Sequence, residues 1–93
     1  MIFELNVFGT KNVQSVAVRG GDQPLSWETD RDMTLVVKDS LYRLAVTFKT
    51  GYLVTRVKFT INGELELQDK PNRRVVFGSG DTTFCRARFD RDP

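Results

Sequence analysis

Three side chains in this 93-residue chain are of types that hold polar ligands at a surface: Trp27, Lys58 and Asn72. Trp27 is the only tryptophan, and an indole offers a large rigid apolar face at little conformational cost, which suits ligand stacking. Taken singly, each of the three has a plainer role: a loop tryptophan capping one end of the core, a solvated lysine, a turn asparagine after Pro71. Catalytic chemistry is poorly provided for. The absence of histidine removes the commonest general base and the commonest metal ligand. Cys85 is the single cysteine, so no internal disulfide forms, and with no histidine beside it the thiol reads as a small apolar filler in the last strand. The acids Glu28, Asp30, Asp32, Asp81, Asp90 and Asp92 fall in loops and at the terminus, where they serve solubility, not as a carboxylate pair flanking a cleft. Zinc-ligand spacings, phosphate loops and G-x-S-x-G elements do not occur. The chain reads as a non-enzyme with no cofactor and no metal.

These residues must be positioned by strands. Leu53 to Ile61 alternates, Asn62-Gly63 follows, and Glu64 to Gln68 forms a second run before a Pro71-Asn72-Arg73 bend. Asn-Gly between two such runs predicts a hairpin with a type I′ turn, which needs positive φ at both central positions. The pleat places Leu53, Thr55, Val57, Phe59 and Ile61 on the core face, and Val54, Arg56, Lys58 and Thr60 on the face towards water. Further strands are expected over Ile2 to Phe8, Val13 to Arg19, Met33 to Lys38, Leu41 to Lys49, Arg74 to Phe77 and Thr82 to Phe89, with Asp22 to Asp32 as a loop. Phe3, Leu5, Val16, Val18, Leu44, Val46, Phe48, Val57 and Phe59 are the expected core. Seven or eight short strands with no helical period predict an all-β sandwich.

The length suits one domain, residues 1–93, with a small core. A composition of 40% hydrophobic and 28% charged residues is that of a soluble globular chain, and a net charge of +2 gives no reason to expect nucleic acid or an anionic membrane as partner. No apolar run is long enough to span a bilayer, and Met1 opens no signal-peptide pattern. The compartment is not legible.

Five segments in order carry a more specific likeness: Val16-Ala17-Val18-Arg19-Gly20, Leu25-Ser26-Trp27-Glu28-Thr29, Tyr42 to Phe48, Val57-Lys58-Phe59, and Leu67-Gln68-Asp69-Lys70-Pro71-Asn72-Arg73. From Phe3 almost to the end, the chain resembles the starch-binding domain, carbohydrate-binding module family 20, and more distantly the glycogen-binding modules. The resemblance implies an immunoglobulin-like antiparallel β-sandwich without catalytic activity. It also implies as ligand an α-glucan polysaccharide or maltooligosaccharide, and as partner any carbohydrate-active enzyme fused to or associated with the module. Carried over by position, the family's first sugar site falls on Trp27, Lys58, Leu67, Gln68 and Asn72. Leu67 stands where the family has a second stacking aromatic, so Leu67→Trp is expected to strengthen binding, and Gln68 stands where it has a glutamate. The tyrosines of the family's second site are missing, so one site at most is expected. Leu67 also favours an alternative, a structural or protein-interaction sandwich that keeps the fold without the sugar. A nucleic-acid-binding barrel using Arg73, Arg74, Arg86, Arg88 and Arg91 is disfavoured by the near-balanced charge.

Overall fold

Alternating apolar residues bury one side of a strand only if a second sheet covers it, and here two sheets cover each other. A computed structural model describes residues 1–48, 53–67, 70–78 and 82–90. Among these residues there are nine strands: β1 (Ile2–Asn6), β2 (Val16–Gly20), β3 (Arg31–Asp32), β4 (Thr34–Val37), β5 (Leu41–Ala45), β6 (Val54–Ile61), β7 (Glu64–Leu65), β8 (Arg73–Val76) and β9 (Phe84–Arg88). One sheet has the order β4-β5-β1-β9; the other runs β3-β2-β6-β7, with β8 also paired to β6. The pairs are antiparallel except β1 with β9, which is parallel. The fold is an all-β sandwich.

Phe3, Leu5 and Val7 from one sheet meet Val16, Val18, Val57, Phe59 and Ile61 from the other, and Val46, Leu25, Met33 and Val75 close the core. Across the two sheets the rings of Phe3 and Phe59 pack edge to face with centroids 6.1 Å apart. Leu44 and Phe48, expected inside, are partly buried and pack against this cluster. Asn62 and Gly63 have φ of 53° and 82°, the backbone that the type I′ hairpin requires.

Several expectations need correction. Leu53 is 83% exposed, because β6 begins at Val54 and the pleat does not reach back to it. Lys58 has the face parity expected of it but does not point to water: it is only 7% exposed. The strand after the hairpin stops at Leu65, since Leu67 adopts φ 51°, which ends extended backbone. Arg31–Asp32, expected in a loop, is a short edge strand paired with Ala17 and Val18. An edge strand has one partner and tolerates charges along its length, so no apolar alternation marks it. Gln68, the Thr50-Gly51 turn, Asp81, Arg91 and Asp92 lie outside the described residues.

Candidate functional site

Trp27 is carried by the segment between β2 and β3, and local contacts fix that segment. Leu25 is buried and plugs the core, and its N–H donates to the Asp22 carbonyl. A Cβ on Gly20 would lie 2.8 Å from Leu25 Cδ1 and 3.0 Å from the Arg56 carbonyl, so only glycine allows this approach. The Gly21 N–H donates to the same Arg56 carbonyl, and Thr55 Oγ1 donates to Asp22 Oδ2 at 2.7 Å. Arg19 donates to the Trp27 carbonyl at 3.2 Å and pairs with Asp30 at 2.6 Å. The loop is therefore pinned to β6 at one end and to β2 at the other. Trp27 is 36% exposed, with its Nε1 lying over Gly21, where a Cβ would come within 3.2 Å.

A shallow pocket of about 260 Å³ opens beside the indole, lined by Gly21, Asp22, Trp27, Val54, Thr55, Arg56 and Asn72. The structure thus brings Trp27 and Asn72 together, as expected, and adds Arg56 and Asp22. It leaves out Lys58, whose Nζ donates to the Leu67 carbonyl at 2.6 Å and to the Lys70 carbonyl at 3.0 Å. Leu67 is buried, its N–H donating to Asp90 Oδ1 at 2.8 Å, and it lines a separate groove, not the pocket beside the indole. Neither residue is a rim group of the Trp27 pocket. Arg56 could have been found in the sequence, since it shares a strand face with Lys58 two positions earlier. Asp22 could not: it reaches the pocket by a contact with Thr55 across 33 positions.

A larger groove of about 630 Å³ lies at the other end of β6, with Lys11, Asn62, Glu64, Leu65, Lys70 and Phe89 in its lining. Its floor includes Glu66, which forms a buried pair with Arg73: Nε to Oε2 at 2.6 Å and an NH2 nitrogen to Oε1 at 2.8 Å. Glu66 also accepts the N–H of Phe59 and of Asp90, and Arg73 donates to the Arg88 carbonyl. Every oxygen of that carboxylate is occupied by the fold, so it is a structural group. Cys85 is partly buried against the core. Burial pushes its thiol up to about 11, which leaves it protonated and a poor nucleophile near neutral pH. Among the described residues no cluster of three or more His, Cys, Asp or Glu side chains could hold a metal ion.

What the Trp27 pocket can do follows from its parts. One flat apolar face stands next to a guanidinium, a carboxylate and an amide, so the pocket can stack a ring and hydrogen-bond groups around that ring's edge. No protein-family model and no curated protein matches the chain.

Proposed function

We propose that this chain is a non-catalytic module that binds starch- or glycogen-like α-glucan weakly through the Trp27 face. The observation that carries the reading is the partly exposed Trp27 sharing one shallow pocket with Asn72, Arg56 and Asp22. A glucose ring presents C–H groups that lie on an aromatic plane and hydroxyls that need both donors and acceptors. Trp27 supplies the plane, Arg56 and the Asn72 amide supply donors, and Asp22 and the Asn72 carbonyl supply acceptors. The immunoglobulin-like topology implied by the family resemblance belongs to the same reading. With one platform instead of two, affinity is modest, with Kd on the order of 1 mM.

The test is an NMR titration of the Trp27 indole N–H with maltoheptaose to about 10 mM, roughly tenfold above that Kd. The expected result is a saturable shift that disappears in Trp27→Ala and weakens several-fold in Arg56→Ala. No shift in the folded wild-type chain overturns the reading. A second reading, a sandwich serving protein contacts, draws on a separate observation: the exposed aliphatic residues Leu35, Val36 and Val37 along β4.

A further inference from the structure

The outer face of β6 and β8 carries two positive charges that the fold leaves without a counter-charge. Arg56 on β6 and Arg74 on β8 stand directly opposite each other in the antiparallel register, and both are exposed. Residues so placed share a face with their Cβ atoms about 4.5–5.5 Å apart, where like charges destabilise the strand pair. Other arginines of the two sheets meet acids: Arg19 pairs with Asp30, Arg73 with Glu66, and Arg43 and Arg86 with Glu4. Among the described residues neither Arg56 nor Arg74 has an ion-pair partner.

This pair continues the Trp27 pocket. On the other side of β6 the register sets Gly20 opposite Val57, and the N–H of the next residue, Gly21, donates to the Arg56 carbonyl. Trp27 Nε1 lies over Gly21, which puts no side chain between the indole and Arg56. The indole, Arg56 and Arg74 therefore follow one another across the sheet in a row two strand spacings, or about 10 Å, long. Asp22 is the carboxylate in the pocket lining; its Oδ2 accepts the Thr55 hydroxyl, and it makes no ion pair with Arg56. One end of the row offers a flat apolar face and the other offers uncompensated positive charge.

We propose that Arg56 and Arg74 form an anion subsite that holds the phosphate ester of a sugar whose ring stacks on Trp27. The proposal rests on the sugar-stacking role given to Trp27 above, but not on the sugar being a polymer. Guanidinium forks match phosphate oxygens in bidentate geometry. A phosphate monoester carries a charge of about −1.5 to −2 near pH 7, enough to answer two arginines, whereas a sulfate ester carries a single charge. An anion bridging the two guanidiniums also relieves the repulsion between them, so the phosphorylated sugar is preferred to the neutral one. Asp22 repels the phosphate at the Thr55 side of the pocket, which leaves the Arg74 side as its place.

The experiment follows the Trp27 indole N–H and the backbone amides of Arg56 and Arg74 by NMR at low ionic strength and pH 7, in a buffer without phosphate. Glucose 6-phosphate is expected to shift all three signals with a Kd at least about tenfold below that of glucose, with glucose 6-sulfate between the two. Arg74→Gln, an exposed change outside the pocket lining, should reduce glucose 6-phosphate to the level of glucose and leave the maltoheptaose titration unchanged. Glucose 6-phosphate binding no tighter than glucose overturns the proposal, even where maltoheptaose binds. An advantage that survives in Arg74→Gln also overturns it, since another cation then holds the phosphate. Inorganic phosphate that shifts the two arginine amides as tightly as glucose 6-phosphate does shows an adventitious ion only and overturns the coupling of ring and anion. Adenosine 5′-monophosphate binding more tightly than glucose 6-phosphate makes the stacked ring a nucleobase and overturns the sugar. An advantage for glucose 6-phosphate that Arg74→Gln removes, beside a silent maltoheptaose titration, supports the anion subsite while setting aside the polymeric glucan.

Discussion

At the scale of single residues, the side chains most like sugar-binding groups divide into those offered to solvent and those consumed by the fold. Lys58 is consumed: two carbonyls, of Leu67 and Lys70, hold its ammonium. Lys58→Met should therefore cost about 1–3 kcal/mol in urea unfolding, the scale of hydrogen bonds to a charged group. The Trp27 titration of the folded variant should stay unchanged, and a lost indole shift would return Lys58 to the site. Leu67→Trp should not build a second platform, because Leu67 is buried at φ 51°. The added volume should instead destabilise the chain by about 1–3 kcal/mol, with no gain in glucan affinity. Cys85 gives a pH prediction. Its thiol ionises near 9.0 when exposed and near 11 when folded, because burial disfavours the thiolate. The folded state thus binds the proton more tightly, and this contribution to stability, fully present below pH 9, is lost as pH rises towards 11. Cys85→Ser should be less stable modestly at pH 7, and the gap should narrow at high pH.

At the scale of elements, β6 is the strand on which the molecule depends, and its pairing is incomplete along one edge. β7 pairs with Thr60 and Ile61, β8 with Val54 to Val57, and Phe59 lies between. Glu66 fills the gap twice: its N–H donates to the Phe59 carbonyl, and its carboxylate accepts the Phe59 N–H at 2.9 Å. Arg73, the first residue of β8, neutralises that carboxylate in bidentate fashion. Arg73→Ala leaves a carboxylate buried without its partner and should cost about 3–5 kcal/mol by chemical denaturation, while Glu66→Leu with Arg73→Met together should cost much less than the sum of the single changes. Additivity would show that the two residues act independently. This element also shows what could be read in advance. Asn62-Gly63 and the parity of Val57, Phe59 and Ile61 were legible, because turn stereochemistry and the pleat are local. The cover over Lys58 was not, because it comes from the Leu67 and Lys70 carbonyls, in a stretch of sequence that has no period and whose charges read as solvated. In the candidate site, Trp27 and Asn72 were legible as residue types, whereas Asp22 and Arg56 join them only through contacts distant in sequence.

At the scale of the whole molecule, the first and last strands hold each other through a carboxylate on the outer face. β1 lies between β5 and β9, and its register sets Glu4 opposite Arg43 on one side and Arg86 on the other. Both guanidiniums reach it: Arg43 Nε donates to Oε2 at 3.0 Å, and Arg86 Nε donates to Oε1 at 2.7 Å. Arg86 in turn lies over the ring of Phe84, 4.6 Å from its centroid. The first strand is further tied where the Met1 ammonium donates to the Val46 carbonyl at 2.7 Å. The hydrogen bond from Arg43 holds the Glu4 carboxyl below the usual carboxylate range, and that from Arg86 adds to it. A carboxyl whose folded pKa is depressed binds its proton less readily folded than unfolded. Its stabilisation is therefore complete above the unfolded value of 4.5 and is lost as pH falls through the folded value. Thermal unfolding of wild type and Glu4→Gln from pH 7 down to about pH 3 tests this, with the amide keeping the size of the side chain but not its charge. The variant should melt below wild type at pH 7, and the gap should narrow as pH falls from the unfolded value of 4.5 through the lowered folded value, where both chains come to carry an uncharged side chain. A difference that stays constant across that range would mean that the carboxylate's charge contributes nothing, and that the cross-strand ladder Arg43–Glu4–Arg86 holds the ends of the chain together by packing alone.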